Sequence, residues 1–278
     1  MRRSGVQMRL TRPCLAALGA ATFAATSLLW SGSASAAGTN YVALGDSYSS
    51  GTGAGSYDPA SGSCNRSANA YPNLWAAAHS TSSYKFVACS GATTATVASG
   101  QLGALGSSTT LVSITAGGND AGFSDVMQTC VLHSTSTCQS RVAQAESYMT
   151  NTLPGRLDSL YGKIRAKSPS ARVVVLGYPR LYKIVNVCVG LSNAKRTALN
   201  GAADTLDGVL AKAAGRAGFT WSDVRDEFAG HELCSGDDWL NAVTIPIESS
   251  YHPTARGHRL GYLPALTGSA ALALQKQT

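Results

Sequence analysis

Gly45-Asp46-Ser47-Tyr48-Ser49 places a serine two residues after a glycine that ends an apolar run. A hydroxyl at such a turn stands exposed where a helix begins, and it becomes a nucleophile if a base lies near. The competing role is helix N-cap, which Ser also fills well after a strand. The pattern is not the Gly-x-Ser-x-Gly elbow, because position 49 is Ser.

The base must come from His79, His133, His231, His252 or His258. Only His252 sits in a sequence that constrains its backbone: in Ser249-Ser250-Tyr251-His252-Pro253-Thr254 the proline biases the histidine toward an extended conformation ahead of the final helix. His79 lies on a helix with Trp75, His133 in a Cys-bounded loop, His231 beside Glu232 and His258 within the last helical stretch, so each reads as a packing or surface residue. Donors for a developing oxyanion are offered by two more turns. Cys89-Ser90-Gly91-Ala92 carries a glycine whose N–H can approach a substrate closely, and Ala116-Gly117-Gly118-Asn119-Asp120 carries a side-chain amide. Glycine and asparagine are also ordinary turn residues, but three such turns after successive apolar runs, with a late His-Pro, form a constellation suited to ester hydrolysis.

Those turns need strands to hold them. Tyr41–Leu44, Lys85–Cys89, Leu111–Thr115 and Arg172–Leu176 are short apolar runs of the buried parallel type, and Thr220–Val224 is a shorter fifth. Helical spacing marks Asn69–His79, Ser140–Lys167 and Ser192–Ala214 between them. Strand followed by helix, repeated, predicts a doubly wound α/β sheet of about five parallel strands in three α/β/α layers, with ligands bound beyond the strand C-termini. The Ser/Gly-rich segments 49–63 and 99–109 read as loops, and no repeat or linker marks a second domain.

The N-terminus reads as an export signal over residues 1–36. Arg2, Arg3, Arg9 and Arg12 precede an uncharged apolar run from Leu15 to Trp30, and Ala34-Ser35-Ala36 supplies small residues for cleavage. The run is short for a bilayer span and broken by Thr, Ser and Gly, and Cys14 lies ahead of it rather than at the cleavage point. The expectation is a soluble, secreted domain over residues 37–278. Removing the four arginines leaves 18 Lys+Arg against 15 Asp+Glu, a charge of +3 from the full chain's +7, so the apparent basicity belongs to targeting. No basic cluster of the nucleic-acid-binding kind occurs.

Six cysteines remain after Cys14: Cys64, Cys89, Cys130, Cys138, Cys188 and Cys234. An even number in an exported chain implies three disulfides. Fifteen pairings are open, of which Cys64–Cys89, Cys130–Cys138 and Cys188–Cys234 need the least chain crossing. No CxxC or His/Cys cluster at zinc spacing is present, so no metal and no organic cofactor is implied.

Taken in order, Gly45-Asp46-Ser47-Tyr48-Ser49, Gly91, Gly117-Gly118-Asn119-Asp120 and His252-Pro253 resemble the four motif blocks of the SGNH (GDSL) hydrolases across essentially the whole mature chain. Tyr41 to Gly51, Gly177-Tyr178-Pro179 and Ser250-Tyr251-His252-Pro253-Thr254 are most similar to the secreted actinomycete lipases and phospholipases A1 in that family. The resemblance implies a flavodoxin-like SGNH fold and Ser47 as nucleophile. It also implies an oxyanion hole from the Ser47 N–H, the Gly91 N–H and the Asn119 amide, with His252 as base. The family's usual Asp three residues before the histidine is here Ser249, and the nearest acid is Glu248. In the actinomycete enzymes a main-chain carbonyl orients the ring, which points to Ser250. The substrate implied is a fatty-acyl ester of a lipid, met at a lipid–water interface by a monomer. A carbohydrate deacetylase, or a secreted binding protein in which Ser47 only caps a helix, are the alternatives.

Overall fold

Five parallel strands, β1 (Asn40–Gly45), β2 (Ser83–Phe86), β3 (Leu111–Thr115), β4 (Arg172–Leu176) and β5 (Thr220–Ser222), form one sheet in the order β2-β1-β3-β4-β5. The chain is described by a computed structural model over residues 38–275, so the export signal expected at 1–36 lies outside the described residues. The order reverses at β1, where the chain crosses first to β2 and then back past β1 to β3. That crossover opens a crevice beyond the C-terminal ends of β1 and β3, the place where such sheets bind ligands.

The central strands β1 and β3 are largely apolar because both faces are covered; all of Leu111–Thr115 is buried, with the Ser113 and Thr115 hydroxyls bonded to Tyr41 and Asp46. The edge strand β2 alternates exposed and half-buried residues instead. Helices α2 (Tyr71–Ala78) and α9 (Leu263–Gln275) pack on each other in one layer. In the other layer α3 (Thr94–Gly100), α6 (Leu153–Lys167) and α7 (Asn193–Arg216) pack side by side, and α4 (Phe123–Leu132) and α5 (Thr135–Asn151) extend it. The two remaining helices are short, α1 (Ser47–Ser50) and α8 (Ala255–Gly257), the latter running through a π turn at His258–Tyr262 into α9. Among the described residues no helix is long and apolar enough to cross a membrane.

Three local expectations change. The long helix expected over 140–167 is two helices, α5 and α6, parted at Thr152, because Pro154 lacks an N–H and its ring cannot continue a preceding turn. The second strand lies at 83–86 rather than 85–89; the backbone beyond it still bonds to β1, Val87 to Ala43 and Cys89 to Gly45. The fifth strand stops at Ser222, where the Asp223 carboxylate accepts the Arg225 N–H and turns the chain.

Each disulfide joins a functional turn or its support to a neighbour. Cys64 bonds to Cys89 beside the Gly91 turn, Cys130 on α4 to Cys138 on α5, and Cys188 in the β4–α7 loop to Cys234 in the loop after β5. Intact mass should therefore rise by six hydrogens, about 6 Da, on complete reduction of the denatured protein. A smaller gain would show that one of the bonds does not form.

Candidate active site

The turn that carries Ser47 is built by two constraints on Gly45. Its φ is +126°, and a Cβ there would lie 2.4 Å from the carbonyl oxygen of Thr115 on β3, so only glycine lets the two strand ends approach this closely. The side chain of Gln101 then closes on the same residue from both sides, accepting from its N–H and donating to its C=O, each at 2.8 Å.

Asp46, next along, is the hub. One carboxylate oxygen accepts from the Tyr48 N–H (3.0 Å) and the Thr115 hydroxyl (2.6 Å), and the other from the Tyr178 hydroxyl (2.5 Å). Asp46 is thus the N-cap of α1, which leaves the Ser47 hydroxyl unspent. Burial raises the Asp46 carboxyl to about 6 even though the three donors pull the other way. Helix α1 is a single turn with all four residues buried; Ser47 lies on the floor of a cleft, at 6 % exposure, rather than standing out in solvent.

Ser47 and His252, 205 residues apart in the chain, meet there. His252 Nε2 lies 2.7 Å from Ser47 Oγ, and His252 Nδ1 lies 3.0 Å from the carbonyl oxygen of Ser250. A carbonyl can only accept, so Nδ1 carries the ring proton and Nε2 is left as the acceptor facing the serine. The side chain of Glu248 is exposed, and its place in the site is limited to its main-chain carbonyl. Burial drives the imidazole from its ordinary 6.5 down to about 4, against the Ser250 and Glu248 carbonyls that favour the protonated form.

The loop that presents His252 is clamped to the Ser47 turn. Tyr48 donates its hydroxyl to the Tyr251 carbonyl at 2.7 Å, and the Asn241 side-chain amide donates to the carbonyls of Gly53 and His252, both at 3.0 Å. Tyr251 itself is held at φ +63°, a left-handed conformation that costs a bulky residue on the order of 1–3 kcal/mol. The rings of Tyr48 and Phe123 close over the imidazole, with centroids 5.1 and 6.0 Å from it.

Of the expected oxyanion donors, Asn119 lies in the same cleft as Ser47. Its amide donates one hydrogen to the Ala92 carbonyl at 3.0 Å, which fixes the side chain beside Gly91 and leaves the second hydrogen free. Among the described residues neither the Ser47 N–H nor the Gly91 N–H has an intramolecular acceptor. Gly91 stands at φ +78°, a conformation that favours glycine. The turns carrying these donors are joined by Asp120, which accepts from the Thr94 N–H and hydroxyl. The cleft runs from Ser47 and Asn119 between apolar side chains of α4, α5 and α7, among them Val126, Met127, Met149, Leu199 and Leu206.

The other histidines lie elsewhere. His79 stacks on Trp75 and His231 on Trp239, His133 is exposed, and His258 is buried, its Nδ1 accepting from the Tyr71 N–H at 3.3 Å. No group of three or more His, Cys, Asp or Glu among the described residues is arranged to hold a metal. Six supporting side chains carry no role that the sequence pattern suggests: Asp46, Tyr48, Gln101, Thr115, Tyr178 and Asn241. Tyr178 sits in the Gly-Tyr-Pro that ends β4, a visible motif whose partner, Asp46, is 132 residues away.

Comparison with known proteins identifies the family. Residues 43–260 match the GDSL-like Lipase/Acylhydrolase family. The chain is 57% identical over 271 residues to Lipase 1 of Streptomyces coelicolor, covering 97% of this chain and 100% of that protein. Among solved structures, phospholipase A1 from Streptomyces albidoflavus superposes with a TM-score of 0.82 at 58% identity, covering 84% of this chain and 99% of that one. The extracellular lipase from Streptomyces rimosus superposes with a TM-score of 0.82 at 56% identity, covering 83% and 99%. The chain belongs to the GDSL-like lipase/acylhydrolase family.

Proposed function

We propose that this protein is a secreted serine hydrolase that cleaves fatty-acyl esters of lipids, triacylglycerol or glycerophospholipid, through an acyl-enzyme. The reading is carried by the 2.7 Å contact of Ser47 Oγ with His252 Nε2 at one end of an apolar cleft. Ser47 attacks the ester carbonyl as His252 takes its proton. The tetrahedral oxyanion is met by the Ser47 N–H, the Gly91 N–H and the free hydrogen of the Asn119 amide. His252 then passes its proton to the departing alcohol, and water deacylates Ser47 by the same route.

The Ser250 carbonyl holds the tautomer this cycle needs, in place of a carboxylate. A neutral acceptor stabilises the imidazolium less than a buried anion would, so more of the transition-state charge falls to the oxyanion donors. The cleft favours lipid over carbohydrate esters. Its walls beyond Ser47 are aliphatic and methionine side chains, which accept an acyl chain but offer a sugar ring few hydrogen-bonding partners. The lipase and phospholipase A1 activities of the Streptomyces relatives fit the same class. Residues 1–36 have the composition of a cleaved export signal, and three disulfides suit an oxidising destination.

Three measurements test this reading. A fluorophosphonate should label the protein covalently, and Ser47→Ala should abolish labelling and lower kcat by roughly 10⁴-fold or more, with fatty acid release from phosphatidylcholine and triolein lost together. Label retained by that variant would place the nucleophile elsewhere. Asn119→Ala should lower kcat by about 10²–10³-fold with little change in KM, since the donor acts on charge present only in the transition state; near wild-type turnover would remove Asn119 from the oxyanion hole. Because the base works only when unprotonated, kcat/KM on a soluble short-chain ester should fall on the acid side as His252 titrates at about 4. An acid limb above the ordinary histidine value of about 6.5 would require a carboxylate partner and would exclude Ser250.

A further inference from the structure

Among the described residues nine large apolar side chains are exposed, and all but Leu260 fall in three short segments, 131–132, 184–189 and 243–247. Leu132 is 65 % exposed, Val187 88 %, Val189 97 %, Ile245 95 % and Ile247 68 %. Scattered surface hydrophobes need no explanation, but this degree of clustering does.

The three segments are tied to one another and to elements that line the site. The first ends α4, whose opening residue Phe123 packs on His252 and whose Val126 and Met127 line the cleft. Lys195 at the start of α7 donates to the carbonyls of Cys130 and His133 at that end of α4 (2.8 and 2.5 Å), and Arg196 donates to the carbonyls of Leu191 and Cys188 (2.7 and 2.6 Å), supporting the second segment from beneath. Cys188 is bonded to Cys234, and the Tyr182 ring lies 6.2 Å from that of Tyr251. The third segment leads directly to His252; the Thr244 N–H donates to the Ser250 hydroxyl at 2.9 Å, two residues from the histidine. Hydrogen bonds between side chains and backbone and a disulfide therefore hold these loops in shape, while their largest side chains are exposed to water.

Charge decides what would cover them. Residues 184–194 and 239–247 contain no Asp, Glu, Lys or Arg; Lys183 flanks one and Glu248 the other, so the pair of loops carries no net charge. Such a rim matches a surface that is itself without net charge, and it lacks the cationic cluster that anionic membranes attract.

We propose that Leu132, the 184–189 loop and the 243–247 loop form the docking face by which the protein seats itself on a zwitterionic lipid surface, with Val187, Val189 and Ile245 inserting among the acyl chains. This inference rests on the function proposed above and adds the surface that delivers the ester to Ser47. Seated this way, the cleft opens into the lipid layer, and an acyl chain moves from one apolar medium to another without crossing water.

The test uses the mature protein with Val187→Ser, Val189→Ser and Ile245→Ser combined, and sonicated phosphatidylcholine vesicles. Co-sedimentation with vesicles should fall by at least about tenfold, the loss expected when buried aliphatic side chains are removed. Turnover of a monomeric short-chain ester should stay within about twofold, which also shows that the variant is folded. A smaller fall in partition overturns the proposal, as does wild-type binding that requires anionic lipid and disappears in salt. Self-association of the wild type that the substitutions abolish, with vesicle binding unchanged, would assign the face to a second copy instead. Ile245→Trp supplies an independent readout: vesicles with brominated acyl chains should quench its added fluorescence, and lack of quenching counts against insertion. A wild type that cleaves no ester at all would instead refute the function proposed above, whatever its vesicle binding.

Discussion

The contact between Ser47 Oγ and His252 Nε2 depends on two loops being held still relative to each other, and much of the structure near the sheet's C-terminal edge serves that constraint. Ser47 is positioned from behind by Asp46, which draws together the first, third and fourth strands through Thr115 and Tyr178. His252 is positioned from the side by Tyr48 and Asn241, which tie its loop to the Ser47 turn. Tyr48 serves both ends, since its N–H is capped by Asp46 while its hydroxyl holds the Tyr251 carbonyl. For the catalytic pair proposed above, such support amounts to preorganisation, which is where sites of this kind gain most of their effect.

Burial and the choice of a carbonyl as orienting group act on the same property. With no carboxylate beside it, nothing anionic offsets the loss of water around the imidazole, and the ring is held neutral over a wider pH range than a solvated histidine. In the cycle proposed above, neutral His252 is the form that accepts the Ser47 proton, so the arrangement favours readiness of the base. In that cycle the accompanying loss is weaker stabilisation of the imidazolium in the transition state, which increases the importance of the proposed Gly91 and Asn119 donors. The lock between Asn119 and Ala92, one residue from Gly91, binds those two donors into a single unit.

Outside this centre, polarity is distributed in steps. The catalytic atoms lie beneath aromatic rings, the cleft beyond them is aliphatic, and the rim carries isoleucine, valine and leucine side chains in water. The disulfide between Cys188 and Cys234 and the Lys195 and Arg196 hydrogen bonds tie these loops to the start of α7 and the end of α4.

Much of this was legible in the chain. The buried strands announce themselves because residues covered on both faces must be apolar throughout, and Gly45-Asp46-Ser47, Gly91, Asn119 and His252-Pro253 are visible because tight turns and reactive groups admit few residue types. Local pattern also placed α7 to within two residues. Other features belong to the folded molecule alone. That Asp46 rather than Ser47 caps α1, that Tyr178 reaches Asp46 across 132 positions, that Gln101 brackets Gly45 and that Tyr251 takes a left-handed backbone all depend on which strand ends lie side by side. The reason is one of range. Periodicity and turn chemistry report a residue's immediate neighbours along the chain, whereas the meeting of residues 47 and 252, and the exposure of Val189 and Ile245 at one mouth, are set by sheet order and crossover, which no short window contains.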